Sequence, residues 1–266
     1  MTTTATTSSP HHSALRWAFS DVLTLAKRNL IALFRTPTLV VFAIIQPIMF
    51  VLLFRYVFGG AIPIPGVSYV NYLVPGILVQ TVIFGSVNTA IGLAEDLQKG
   101  LIERFKALPM ARMAVLGGRT LADLSRSVVV LLIITGVGTL VGFRPDGGIV
   151  PYLEACLVML VFAYCLSWGF AFVGLAAPSA EAAQAMTFPL IFPLVFASVI
   201  FVPLAKLPWW LQGFANNQPI SQATYAVRGL MLGQPHDNSV WVSLAWSIGF
   251  IAFLAPLAVN RFRKAA

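Results

Sequence analysis

Six apolar runs, each long enough to cross a bilayer as a helix, constrain this chain more than any other feature. They lie at about 38–58, 70–94, 118–142, 152–177, 184–204 and 239–259. A hydrocarbon core takes about 20 apolar residues per helical span. In lipid every backbone N–H and C=O must find its partner within the protein, which a helix provides by itself. The pattern predicts an all-α polytopic membrane protein with six transmembrane helices over residues 37–260. Charge agrees, because only 10 % of the chain is charged against about 25 % in a soluble domain. Pro189 and Pro193 interrupt the fifth run, and a further apolar stretch containing LPWWLQGF follows it.

The net charge is +8. In a soluble protein that would point to nucleic acid, but in a polytopic chain it is topological charge, and no nucleic-acid partner is expected. With the N-terminus placed inside, the inner side collects Arg16, Lys27, Arg28, Arg35, Lys99, Arg104, Lys106, Arg112, Arg119, Arg126, Arg261, Arg263 and Lys264. The outer side keeps only Arg55, Arg144, Lys206 and Arg228. The positive-inside rule then predicts an inner-membrane, multi-pass protein with both termini cytoplasmic. Residues 1–14 read as a disordered cytoplasmic tail without a cleavable signal, and 261–266 as a basic cytoplasmic tail. Between 15 and 36, Leu15, Phe19, Leu23, Ala26, Leu30 and Phe34 recur at steps of three and four, opposite Asp21, Lys27 and Arg28. This predicts an N-terminal amphipathic interfacial helix lying among membrane lipids. Cys156 and Cys165 share one run about 13 Å apart along a helix axis, too far for a disulfide.

The loop between the second and third runs gathers the charge that the spans lack: Glu95, Asp96, Lys99, Glu103, Arg104, Lys106, Arg112 and Arg119. From Glu95 to Leu108 the spacing is helical. Leu97, Leu101, Ile102, Phe105 and Leu108 share a stripe, with Glu95, Lys99, Glu103 and Lys106 on the other side. Glu95–Lys99 and Glu103–Lys106 are favourable helix pairs, acids precede bases as the helix dipole prefers, and Pro109 ends the segment. Such a helix could anchor the loop in the interface or dock into a cytoplasmic partner; periodicity alone leaves both open.

The segment EDLQKGLIERFKALPMARMAVLGGRTLAD resembles the signature loop of ABC-2 type transporter membrane subunits, particularly the daunorubicin-resistance permease group. The matching positions are Glu95, Asp96, Gly100, Glu103, Arg104, Leu108, Pro109, Arg112, Gly118 and Arg119. A second segment, NQPISQATYAVRGLMLG from Asn217 to Gly233, resembles the Asn-Gln-Pro stretch that this group carries before its last span. Lys106 departs from an Arg common in the group, which keeps charge but not bidentate geometry. The resemblance implies a type V exporter fold with a cytoplasmic coupling helix. It implies that Glu95, Asp96, Leu101, Ile102, Glu103, Arg104, Phe105 and Leu108 dock on a cytoplasmic ABC ATPase. It further implies two ATPase copies that bind ATP and Mg, and a second permease, identical or homologous.

No G-x-x-x-x-G-K-[ST] loop occurs in the sequence, so this chain is not expected to hydrolyse ATP or to hold a cofactor of its own. His11, His12 and His236 supply no hydrolase triad or metal set. The expected function is the permease subunit of an ATP-driven exporter, moving an amphipathic or hydrophobic drug, polyketide or lipid-like molecule outward. Export of a lipid-linked glycan or glycolipid is the neighbouring alternative. An ion-coupled secondary transporter is the alternative of another class, disfavoured because the spans look nearly free of ionisable groups. Arg55, Arg126 and Glu154 sit near expected span ends, where snorkelling is easy.

On the second run Gln80, Phe84 and Asn88 align at steps of four, with Thr81 beside them. Phe188, Phe192 and Phe196 form a stripe on the fifth. Polar groups at membrane depth face a protein interior or a pathway. The resemblance implies that these helices face a translocation route, so these seven residues are its candidate lining. Finally, PLAKLPWWLQGFANNQPISQ is too apolar for an open loop and too broken for a span. It reads as an outer re-entrant hairpin carrying Trp209, Trp210, Asn217, Gln218 and Pro219, with the tryptophans at the interface.

Overall fold

The computed structural model describes residues 31, 37–59, 64, 66–101, 112–235 and 238–265. The N-terminal tail and nearly all of the expected interfacial helix lie outside these residues, as do Ile102, Glu103, Arg104, Phe105 and Leu108 of the charged loop. No strand occurs among the described residues. The helices are α1 (Pro37–Leu53, continued by a π-helical turn Phe54–Phe58), α2 (Tyr69–Gln98), α3 (Arg112–Leu140), α4 (Ile149–Ala176), α5 (Ala180–Phe196), α6 (Trp209–Asn217), α7 (Pro219–Leu232) and α8 (Ser239–Ala265). Four stretches are long and apolar enough to cross a membrane: Tyr69–Gln98, Gly117–Leu140, Ile149–Ala176 and Ser239–Phe262. Ile44–Val57 and Ala180–Phe196 are shorter apolar helices.

Helix α4 is the hub and packs most extensively on α2 and α8. In an apolar solvent, close van der Waals fit holds helices together better than burial does, so small residues at contacts matter. At the α2–α4 crossing, a Cβ on Gly174 would collide with the Ala90 backbone carbonyl. The backbones touch there because glycine allows it. Leu73, Ile77, Ile83, Met159, Phe162 and Met231 fill one part of the core. Leu93, Trp168, Leu175, Ala258 and Phe262 close the end nearest the charged loop. Helix α8 continues to Ala265, so the segment expected to be a basic tail begins as helix.

The fifth run does not form a helix over 184–204. Helix α5 starts at Ala180 and stops at Phe196. Ser179 caps its start by accepting a hydrogen bond from the Ala182 N–H at 3.0 Å. Pro189 and Pro193 each remove a helical donor, and the chain turns at Ala197. The residues that follow, Ser198 to Phe201, are buried although they are not helical. Their polar backbone is served from elsewhere in the fold. Gln218 Nε2 donates to the Ala197 carbonyl at 2.6 Å, and the Tyr72 hydroxyl to the Val199 carbonyl at 2.8 Å. Arg228 Nη2 donates to the Val199 and Ile200 carbonyls at 3.0 and 3.3 Å. The Val199 N–H reaches Ser221 Oγ at 3.3 Å. Buried irregular backbone is tolerated only with such partners.

The expected hairpin is two helices rather than irregular chain. Pro219 takes the first position of α7, where its missing N–H costs nothing. Gly233 ends α7 in the left-handed region at φ 62°. Helix α7 is almost wholly buried against α4, α8 and α2, an element the apolar-run pattern does not resolve.

Candidate functional site

Helix α2 brings Gln80, Thr81, Phe84 and Asn88 to one face, as their spacing predicts. Together with Gln46, Pro47 and Phe50 of α1 and Arg126 and Ser127 of α3, they line a cavity of about 70 Å³. Thr81 Oγ1 donates to the Ile77 carbonyl at 2.7 Å. Asn88 Nδ2 reaches the Gly85 carbonyl at 3.4 Å. Gln80 is 3 % exposed, and its Oε1 has no hydrogen-bond partner among the described residues. A buried acceptor without a partner costs about 1–3 kcal/mol.

The phenylalanine stripe of α5 meets this face. Phe84 lies 6.3 Å from Phe188 and 5.9 Å from Phe192, the latter edge-on. The rings continue through Phe192–Phe196 at 5.5 Å and Phe196–Phe201 at 5.5 Å. Phe201 stacks on Phe54 at 4.5 Å, and Phe54 on Phe50 at 5.9 Å. Phe84 and Phe50 both border the cavity, so the aromatic chain leaves it on α2 and returns to it on α1. Phe192 and Phe196 remain exposed on the outside of this arc. Of the seven residues proposed from sequence as pathway lining, Gln80, Thr81, Phe84 and Asn88 line the cavity, while Phe188, Phe192 and Phe196 join them through ring contacts that start at Phe84.

Sequence reasoning missed the α2–α3 seam. Arg126 does not snorkel from a span end; it sits in the middle of α3, is 8 % exposed and points inward. Its Nη2 donates to the Gly85 carbonyl and lies 3.6 Å from Asp123 Oδ1. Asp123 Oδ2 accepts from Thr89 Oγ1 at 2.5 Å. Two turns nearer the charged loop, Arg119 pairs with Asp96 at 2.8 Å and donates to the Asn88 carbonyl at 3.3 Å. A Cβ on Gly92 would overlap the Arg119 guanidinium, and one on Gly85 would press on Arg126. Glycines seven apart on α2 thus admit arginines seven apart on α3. The legible signal was Arg119, Asp123 and Arg126 at helical spacing on one face.

At the loop end, α2 runs through Glu95 and Asp96 to Gln98. Gly100 then adopts φ 63°. The helix expected to run unbroken from 95 to 108 is interrupted there, because a left-handed residue stops the i→i−4 ladder. Lys99 pairs with Glu95 at 3.0 Å, as the spacing anticipates, and Leu101 is half-buried. At the far end of the molecule Trp209 and Trp210 are 85 % and 66 % exposed. Asn217 bonds back to Gly213, and Gln218 is spent on Ala197.

A sequence model for the ABC-2 type transporter family matches residues 20–232. The chain belongs to this family. Among its relatives, the daunorubicin resistance ABC transporter permease protein DrrB1 of Streptomyces coeruleorubidus is 36 % identical over 93 % of this chain and 87 % of that protein. The probable doxorubicin resistance ABC transporter permease protein DrrC of Mycobacterium tuberculosis is 30 % identical over 96 % and 92 %. A putative transport permease of Cyanophora paradoxa, ycf38, is 26 % identical over 87 % and 80 %. As an ABC-2 permease the chain is a multi-pass membrane transport subunit rather than an enzyme. Family membership implies an ABC ATPase partner and a paired permease.

Proposed function

We propose that this ABC-2 permease forms, with a second copy or a homologous permease, the membrane part of an ATP-driven exporter for an amphipathic or hydrophobic molecule. The observation that carries the reading is the cavity at Gln80, bordered by a continuous arc of phenylalanines on α1, α2 and α5. It offers aromatic surface from Phe50 and Phe84 beside the polar side chains of Gln80, Thr81 and Asn88, which suits a largely apolar cargo bearing a polar group. Two relatives named for resistance to daunorubicin and doxorubicin support a drug-like cargo; a glycolipid would also fit an apolar route.

In this reading α1 and α5 complete six spans, both termini are cytoplasmic in the inner membrane, and α6–α7 form an outer re-entrant hairpin. Two copies of a separate ATPase bind ATP and Mg and seat the loop beginning at Glu95 and Asp96, with Leu101, Ile102, Glu103, Arg104, Phe105 and Leu108 as the contact. The test is export from cells or vesicles carrying the permease and its ATPase. Phe84→Ala and Phe192→Ala are expected to lower export several-fold without changing expression. Disrupting Glu103, Arg104 and Phe105 should abolish both ATPase co-purification and export. Export that survives ATP depletion but collapses with the proton gradient would overturn the reading in favour of an ion-coupled transporter, for which the buried Asp123–Arg126 pair is the natural relay.

A further inference from the structure

The Asp123–Arg126 pair is lopsided with respect to the cavity at Gln80. Arg126 borders that cavity, whereas Asp123 and its partner Thr89 do not. The carboxylate therefore lies back in the α2–α3 seam, and the positive end of the pair forms the cavity wall. Arg126 Nη2 bonds the Gly85 carbonyl, itself on that wall, and lies 3.6 Å from Asp123 Oδ1. Its Nε and Nη1 donate to no described residue. A guanidinium is a planar fork of donors with no acceptor, so an unused edge of that fork can only seek oxygen or another acceptor.

The rest of the wall does not answer it. The hydroxyls of Thr81 and Ser127 are spent on the Ile77 and Asp123 carbonyls. The sequence holds no Asp or Glu between Asp21 and Glu95, so α1 and the lining part of α2 contribute no carboxylate. On α3 the one acidic residue is Asp123, already paired. Size matters too. A cavity of about 70 Å³ takes roughly five water-sized groups, which is room for one polar substituent and not for a whole drug-like molecule. The apolar body of such a molecule would lie against Phe50 and Phe84, which share the same wall.

We infer that Arg126 determines cargo specificity: it selects molecules whose apolar body carries an acceptor oxygen, a carbonyl or a carboxylate, and rejects those that present an ammonium group at this point. The inference rests on the reading of the cavity as part of the export route. An acceptor oxygen gains charge-assisted hydrogen bonds from the free edge of the fork. An ammonium meets the positive end of the pair with its carboxylate turned away, a like-charge contact of the kind that enforces specificity.

The test uses the full permease in lipid nanodiscs and four fluorescent probes with one shared pyrene body: 1-acetylpyrene, 1-pyrenecarboxylate, 1-pyrenemethylammonium and 1-ethylpyrene. Saturable retention is measured against protein-free nanodiscs, and ATP-dependent export of the same probes is followed in vesicles that also carry the ATPase. An acceptor-bearing probe should bind about tenfold more tightly than 1-ethylpyrene, the gain from a hydrogen bond to a charged group, and the ammonium probe more weakly than 1-ethylpyrene. Preference for the ketone alone identifies a neutral carbonyl as sufficient; preference for the carboxylate identifies an anionic cargo. The double variant Asp123→Asn, Arg126→Gln removes both charges together and should bring all four probes to similar affinity. Arg126→Lys keeps the ion pair but drops the fork; it should still reject the ammonium while losing most of the preference for acceptors. These ratios between probes would not move if Arg126 only held α3 to α2. Phe84→Ala should weaken all four probes by one common factor. If the parent binds the four probes alike while Phe84→Ala weakens them, or if both Arg126 variants keep the parent's ratios, the inference about Arg126 is overturned and the route stands. If no probe is retained or exported, both fall.

Discussion

The two sides of α2 are built on different principles. Toward α4 it presents Ala90 to Gly174, and the backbones meet with no side chain between them. Toward α1, α3 and α5 it presents Gln80, Phe84, Gly85, Asn88 and Gly92. There the neighbours are guanidinium groups, aromatic rings and a cavity. The first side has one good packing arrangement, because any added atom collides with a carbonyl. The second is held by polar and ring contacts around space, which can be rearranged without opening the α2–α4 contact. A helix that must both anchor a bundle and border a changing route can divide those tasks between its faces.

A series of substitutions tests that division. The largest expected effect is Asp123→Ala, which leaves Arg126 buried beside a single carbonyl. Removing one member of a buried pair costs about 3–5 kcal/mol, and the loss of Tm in detergent should be partly recovered in the Asp123→Ala, Arg126→Ala double variant. If the single and double variants melt alike, the seam is not an ion-pair contact. Next comes Gly174→Leu, expected to cost about 3 kcal/mol through overpacking. Gly136→Leu should cost little, since no described residue lies near the Cβ position there. Equal damage from the two would erase the distinction between α2's faces.

Gln80→Leu should behave in the opposite sense. Removing an unpartnered buried acceptor is expected to leave Tm unchanged or raise it, within about 1–3 kcal/mol, while export falls. A destabilised Gln80→Leu protein would mean that the side chain is structural. The smallest effect belongs to the start of α5. Ser179→Ala should cost about 1 kcal/mol through loss of the cap.

Period and length carried most of the bundle into view from the residues alone, because a lipid-spanning helix announces itself by an apolar run. The polar stripe at 80, 84 and 88 was legible for the same reason: steps of four on an apolar helix cannot hide. The misses share one cause. Arg126 looked like a span-end residue because the Gly85 carbonyl it bonds becomes visible only when α2 and α3 are set side by side. Helix α5 looked longer because Val199, Ile200 and Phe201 are as apolar as any span. What ends it is a set of donors from Tyr72, Gln218 and Arg228, remote in sequence. Helix α7 escaped because Gln218 to Arg228 mixes polar groups into a segment whose burial is supplied by three neighbours. The break at Gly100 had a local sign, a glycine, but the charge pairs on either side argued for continuity.

That break and the Asp96–Arg119 contact together have a mechanical consequence. The pairing ties α2 to α3 just before the chain enters the charged loop, and the left-handed Gly100 ends the regular ladder of α2 there. In the proposed exporter, a force applied at the loop would meet that clasp first and be shared by two helices tilting as one lever. The Arg126 contact, two turns further in, sits close to the cavity wall. The same displacement would arrive at Gln80 as a change in the gap between helices, with the seam of glycines as its bearing.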